Sequence, residues 1–374
     1  MLRYLEAFQA SQEGHCFYLV TFEQKEYWIS PDKQKKIKSD LASKNIYWTP
    51  FDYHGGRLLI LMKLLDFVQL FGFILKLKID KKVKTIIGFT SLSGVLAFIY
   101  SKLLRIKLLA LNIEPHSDYM LEFGIWKKYS LSYLILQYLE TSLLKYGDYV
   151  ALPTKNATRD FSNLRKKDRL DFVPTCIDVL EFKYQEDMRT LYRQSLNVND
   201  DALVIVYLGK FDGLYFSAKE MANYMFQIEK NTGKAKEVFW WVITPDNVNY
   251  VKSVFESSGL VNFHIQGKIP FKSISSYLSA ADAGLLILPE YPSQQYRCPI
   301  KTANYLACGL PIIVNEIVGD EAEVVRENDI GWVLNLLEPN LKEKVLNSRE
   351  VYSHQAENYR GMKIMIDYLI RILD

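Results

Sequence analysis

Residues 299–304 read PIKTAN. Pro299 suits the first turn of a helix, where the N–H groups of Ile300 and Lys301 have no partner within the helix and favour an anion. Lys301 adds a full positive charge to that partial one. Asn304, one turn later, can both donate to and accept from a hydroxyl. Gly309 and Pro311 end the helix and open the apolar strand PIIVN. Tyr296 and Arg297 stand immediately ahead of the helix and are counted with the same site.

Three further stretches carry polar chemistry at expected strand ends. In YLGKFDGLY (207–215), Gly209 allows a tight turn and Lys210 brings a cation. In HIQGKIPF (264–271), Gly267 lets a flat group approach the main chain. The backbone of Gly267, Lys268 and Ile269 then offers donors and acceptors to the edge of a base. In LNIEPHSDYMLEFG (111–124), Glu114 and His116 are the candidate catalytic groups, with Asp118 beside them. Each stretch also has a plainer reading: a surface lysine, a strand-to-helix turn, a structural histidine. Together they suit a nucleotide-diphospho-sugar. Its leaving group is a nucleoside diphosphate, whose growing charge Lys210, Lys301 and a helix N-terminus stabilise. Cations and backbone dipoles then do the work of a metal, so neither a metal nor a separate cofactor is expected.

Composition narrows the alternatives. The 374 residues are 49% hydrophobic and 24% charged, which fits a globular chain of two domains. A net charge of +3 is too small to suggest nucleic acid as the main partner. Cys16, Cys176, Cys298 and Cys308 show no metal-ligand spacing, and no leader-like segment precedes them. A reduced, cytoplasmic protein is expected. GxxxxGK[ST], GxGxxG after a strand, His/Cys clusters and GxSxG are all missing. That removes P-loop hydrolysis, ordinary dinucleotide redox chemistry, zinc chemistry and α/β-hydrolase chemistry. Lys63 and Asp66 interrupt the apolar stretch 57–84, which falls short of the roughly 18 to 20 residues of a span. It reads as a buried helix of an α/β domain, or as a basic apolar helix that also rests on a membrane surface.

The elements that position these groups alternate. Strands are expected at 16–23, 84–89, 107–113, 148–152 and 171–175, with helices between them. The plan repeats with strands at 202–211, 238–244, 263–269, 283–288, 311–315 and 331–335. Such alternation implies right-handed βαβ units and mainly parallel, doubly wound sheets, with ligands outside the carboxyl ends of the strands. The fold class is therefore α/β with two Rossmann-like domains and a site in the cleft between them. The expected division is 1–178 for the first domain, 179–348 for the second, and a C-terminal helix at 349–374 that packs back on the first, with the join near 176–190. The chain opens on helical periodicity, so the usual first strand of the first domain is expected to be absent.

The landmarks ETSLLKYGDYVALPTKNA (140–157), VPTCIDVLEF (173–182), YLGKFDGLYFSAKEM (207–221), IQGKIP (265–270), 299–313 and VGDEAEVVRENDIGWVL (318–334) resemble, in order and spacing, the GT-B glycosyltransferases. The likeness is to the retaining family 4 group of bacterial polysaccharide enzymes and runs through nearly the whole chain. It implies an acceptor domain followed by a nucleotide-sugar donor domain. It places a phosphate-binding basic residue on Lys210, the base-binding turn on Gly267 to Pro270, and a Pro-x-Lys on Pro299-Ile300-Lys301. The family's second lysine has no match; Asp212-Gly213-Leu214 stands there. Two family glutamates fall on Tyr296, near the donor sugar, and Asn304, on the ribose hydroxyls. His116 matches a histidine near the donor sugar. The resemblance implies a hexosyl or related transferase acting on a growing, lipid-linked glycan with retained configuration, peripheral on the inner face of the cytoplasmic membrane. Two other readings stay open. One is a non-catalytic scaffold, given Tyr296 and Asn304 in place of glutamates. The other is a nucleotide-sugar epimerase built on Glu114 and His116.

Overall fold

The computed structural model describes residues 1–12, 14–24, 29–54, 59–165, 170–199, 201–231, 238–334 and 349–374. The first stretch holds α1 (Leu2–Ser11), β1 (Phe17–Glu23), α2 (Pro31–Ala42), β2 (Ile46–Asp52), α3 (Leu59–Lys81), β3 (Thr85–Phe89), α4 (Ser91–Leu104) and β4 (Lys107–Leu111). After it come α5 (His116–Glu122), α6 (Leu131–Tyr146), β5 (Tyr149–Leu152), α7 (Lys155–Phe161) and β6 (Asp171–Phe172). All described strand pairings are parallel. The first half is not one sheet, as expected, but two: β1-β2, and β3-β4-β5-β6. Among the described residues no strand pairs with both β1 and β3, so no ladder joins the two sheets.

The second half holds α8 (Glu186–Ser195), β7 (Leu203–Leu208), α9 (Ala218–Asn231), β8 (Val238–Ile243), α10 (Val248–Ser257), β9 (Phe263–Gln266), α11 (Ile274–Ser279) and β10 (Ala283–Leu286). It continues with α12 (Ile300–Ala307), β11 (Ile312–Val314), α13 (Glu321–Asn328) and β12 (Gly331–Val333). The six strands run in the order β12-β11-β10-β7-β8-β9. Alternate residues face two buried layers. Val204, Val206, Trp241 and Ile243 lie in one, and Leu203, Ile205, Trp240 and Val242 in the other. Burial on both faces explains why these strands read as unbroken apolar runs.

Several expected elements change length. The strands expected at 202–211 and 263–269 stop at Leu208 and Gln266, which leaves Gly209 and Gly267 on the loops beyond. The expected join near 176–190 already contains the first turns of α8. The expected strand at 171–175 is only Asp171–Phe172. The single helix expected at 349–374 is two, Arg349–Arg360 and Met362–Leu373. Residue 335, expected at the end of the last strand, lies outside the described residues.

Two compact units can be separated. One comprises Met1–Leu111, Tyr146–Val150 and Lys363–Asp374; the other comprises Asn112–Lys145 and Ala151–Met362. In the first, Leu70, Ile74, Tyr100 and Leu104 of α3 and α4 form the centre of a cluster. Helix α3 is therefore a packed helix, with Leu64, Leu65, Val68 and Ile79 left exposed on its other side. None of the described helices is long and apolar enough to cross a membrane.

Candidate functional site

Strand order reverses between β7 and β10, so their carboxyl ends frame the crevice in which open α/β sheets place ligands. The loop after β7 carries Gly209 to Tyr215, and the loop after β10 carries Tyr296 to Pro299 into α12. Tyr305 of α12 ties the two together: its hydroxyl accepts from Leu208 N at 2.9 Å, and its ring is fully buried. In the first loop, Asp212 and Gly213 both take positive φ (62° and 67°) and swing the chain back, so that Asp212 N donates to Phe216 O. That turn presents the Leu214 carbonyl and the Tyr215 ring.

Arg297 is the hub. Its Nη1 donates to Leu214 O at 3.0 Å. Its guanidinium lies 4.7 Å from the centre of the Tyr119 ring and 5.4 Å from that of Tyr215. Lys301 Nζ lies 5.3 Å from the Tyr215 ring centre and 5.6 Å from that of Tyr207. Burial, and then the Arg297 charge, pull the Lys301 ammonium down from 10.5 to about 8. Among the described residues neither cation has an ion-pair partner, so two half-buried positive charges are left for an anion. Gly209 makes this approach possible, since a Cβ there would sit 2.5 Å from Lys301 Nζ and 2.8 Å from Tyr207 Oη. Lys210 itself is exposed, and its carbonyl accepts from Tyr207 Oη at 2.7 Å.

Helix α12 begins as the Pro-x-Lys spacing predicts, with Pro299 as its N-cap. Arg360 holds that start in place. It donates to Pro299 O at 2.6 Å, to Cys298 Sγ at 2.7 Å and to Glu321 Oε1 at 3.0 Å. Asn304 is buried, and among the described residues its side-chain Oδ1 has no hydrogen-bond partner, which leaves an acceptor one turn from Lys301. Gly309, at φ 70°, closes the helix as expected.

The residues after β4 reach the same place. Tyr119 Oη donates to Glu114 Oε2 at 3.1 Å, and the Cys298 N–H also donates to the Glu114 carboxylate. Burial raises the Glu114 carboxyl, against the opposing pull of Arg297. Burial and Arg297 both lower the His116 imidazole. The 111–124 stretch was expected only as a strand end; its last half is α5. Both ends of α5 are fixed. Glu140 of α6 accepts from His116 N (3.1 Å), Ser117 N (3.2 Å) and Ser117 Oγ (2.6 Å). Burial raises Glu140 to about 7. At the other end Glu122 accepts from Ser293 N at 3.1 Å and from the Ser293 hydroxyl.

The expected residues thus divide. Glu114, Arg297 and Lys301 gather with Gly209; His116, Pro299, Ile300 and Asn304 lie within a turn of them. Tyr296 turns away: its hydroxyl donates to Asp160 at 3.1 Å and its ring packs on Phe161. At Gly267 a Cβ would meet only Val248, at 3.5 Å, so the main chain there is open to a flat group; Lys268 is exposed and Ile269 packs partly against the core. Tyr119, Tyr215, Glu140 and Arg360 were not singled out from the sequence. Their partners lie 20 to 180 residues away or depend on the unforeseen α5, so no local spacing marks them.

Residues 251–367 match the model of the glucosyltransferase 3-like C-terminal domain. No curated protein matches the chain. Among solved structures, Anabaena HepE in complex with UDP and glucose is similar at TM-score 0.68 and 13% identity, covering 100% of this chain and 95% of that one. Sucrose-phosphate synthase from Thermosynechococcus elongatus is similar at 0.65 and 14%, covering 96% and 98%. WaaG, a glycosyltransferase involved in lipopolysaccharide biosynthesis, is similar at 0.52 and 15%, covering 94% and 98%. At these identities the likeness establishes the fold, which is GT-B. The chain thus joins a GT-B fold to a segment, residues 251–367, that is similar to a glucosyltransferase C-terminal domain.

Proposed function

We propose that the protein moves a sugar from a nucleotide-diphospho-sugar to a growing, lipid-linked glycan with retention of configuration, as a family 4-type enzyme. The observation that carries the donor reading is the half-buried pair Arg297 and Lys301, which among the described residues has no carboxylate within ion-pair distance, at the start of α12. The diphosphate lies against these two cations and the free N–H groups of Ile300 and Lys301. Arg297 supplies the second cation that the 212–214 stretch lacks, and Lys210 stands exposed at the rim. Asn304 Oδ1 accepts from a ribose or sugar hydroxyl, and the base lies against Gly267 to Ile269. As the glycosidic bond breaks, charge grows on the leaving diphosphate, and these groups stabilise it. His116 and half-buried Glu114 orient the sugar from the α5 side. In this division residues 1–178 handle the acceptor and 179–348 the donor, and no metal is required. HepE has been crystallised with UDP and with UDP-glucose, which supports a uridine donor as the first to test. We place the protein in the cytoplasm, on the inner face of the membrane, with α3 and its lysines as one point of attachment.

Labelled UDP-sugars, incubated with the protein and a lipid-linked acceptor, should yield labelled lipid-linked product and free UDP. Absence of donor binding at millimolar concentration, or donor binding unaffected by Arg297→Ala with Lys301→Ala, would overturn the reading. Tyr296 bound to Asp160 favours a second reading, a scaffold that binds donor without transfer. Binding with no UDP release would select it. Interconversion of UDP-sugars without acceptor would select the epimerase.

A further inference from the structure

Arg360 ends the helix Arg349–Arg360 and is 5% exposed. All three nitrogens of its guanidinium are engaged. Nε donates to Thr175 O at 3.0 Å, Nη1 to Cys298 Sγ at 2.7 Å and Glu321 Oε1 at 3.0 Å, and Nη2 to Pro299 O at 2.6 Å. The main chain is pinned as well, since Arg360 O accepts from Ile177 N at 2.8 Å. These partners all belong to the second unit. With its donors so placed, and Glu321 balancing its charge, Arg360 is not itself a ligand for an anion.

What lies behind the Nη2 acceptor gives this contact its meaning. The Pro299 carbonyl and the Ile300 N–H are the two ends of one peptide group. In a trans peptide they point in opposite directions. The Ile300 N–H is the first of α12, and among the described residues it has no hydrogen-bond partner. Ile300 is also 45% exposed. A charged donor on the carbonyl draws electron density toward the oxygen and leaves the N–H a stronger donor. We propose that Arg360 is a positioning residue for the donor diphosphate: through the Pro299–Ile300 peptide it fixes the Ile300 N–H and strengthens its hydrogen bond to a phosphate oxygen. The inference rests on the donor reading and gives a role in it to a side chain that does not touch the nucleotide.

Proline supplies the test. It is favoured at the first helical position, and Pro299, extended at ψ 127°, suits a following proline. Ile300→Pro therefore deletes the N–H and keeps the helix start. UDP affinity is measured by calorimetry on the full chain as parent, Arg360→Lys, Ile300→Pro and the double variant. In Arg360→Lys a single ammonium stays with Glu321, and Pro299 O loses its donor. Arg360→Lys and Ile300→Pro should each weaken UDP by ~threefold to tenfold, and Arg360→Lys should add less than ~twofold once the N–H is gone. Arg360→Met with Glu321→Gln leaves no carboxylate buried without its cation, and should give the same pattern against Glu321→Gln alone. An equal loss with and without the Ile300 N–H would show that Arg360 only holds the fold, and would overturn the proposal. So would an Ile300→Pro chain that binds UDP as the parent does. UDP binding absent from the parent would overturn the donor reading, and the proposal with it.

Discussion

Lys301 has two opposed pH dependences. Its ammonium titrates near 8 in the folded chain, against an ordinary 10.5. Between these values the unfolded chain holds more protons than the folded one, so the Lys301 contribution to stability rises with pH across that window. Diphosphate binding needs the charged form and should weaken as pH passes about 8. Calorimetric titration with UDP should therefore show proton uptake on binding at alkaline pH. Lys301→Met should abolish that uptake and cost about 1.5–3 kcal/mol of binding, or ~10–150-fold in Kd. A variant that keeps the same uptake would place the titrating group elsewhere. Lys301 was legible in the sequence because a Pro-x-Lys at a helix start is a local pattern. Arg297 was adjacent and legible as part of the site, but its role as the hub was not. That role depends on Leu214, Tyr215 and Tyr119 arriving from two other loops.

Helix α5 places Glu114 and His116, and Glu140 holds the start of α5. Glu140→Ala should leave the N–H groups of His116 and Ser117 unpaired, costing about 1–3 kcal/mol and lowering transfer more than donor affinity. The Glu140 carboxyl sits at about 7 against an ordinary 4.5, so its contribution to stability is fully present below 4.5 and lost as pH rises toward 7. In Glu140→Gln that slope should vanish from thermal unfolding measured across the same range. The turn after β7 gives a second test. Gly209→Ala should push aside both the flexible end of Lys301 and the buried Tyr207 ring, lowering Tm while UDP affinity falls ~tenfold. Equal affinity in a thermal-shift titration would show that Lys301 acts from another position. Neither dependence could be read from periodicity. Residues 116–122 carry too few apolar positions to mark a helix, and Glu140 reads as one more exposed charge on α6 until the fold buries it.

Across the second unit, Asp282 concentrates the buried charge. It is fully buried, accepts from Arg189 Nη2 at 2.7 Å and Arg193 Nη1 at 3.2 Å, and also accepts from Val204 N at 2.8 Å. These contacts join α8 to the strands β7 and β10 that frame the crevice. Arg349 Nη2 also lies 3.9 Å from Asp282 Oδ1, so Asp282→Ala would leave three arginines buried without their acid and should cost about 3–5 kcal/mol, read as a large loss in denaturant midpoint. A midpoint within experimental error of the parent would mean that the arginines find water instead. The two α/β halves themselves were legible, because strands buried on both faces read as apolar runs at regular spacing. The split of the first half into two sheets was not, since pairing depends on which strand lies alongside which.

The sequence by itself determined the α/β class, the repeat of strands and helices, and the identities of most donor-site candidates, because periodicity and helix-start chemistry are local. Only the tertiary structure decided which of those candidates meet. It turned Tyr296 to Asp160, gave Arg297 to Tyr119 and Tyr215, and drew Lys301 over Gly209. The physical reason is distance along the chain. Burial and the pairing of charges are set by neighbours 80 to 180 residues apart, and no pattern within one segment records them.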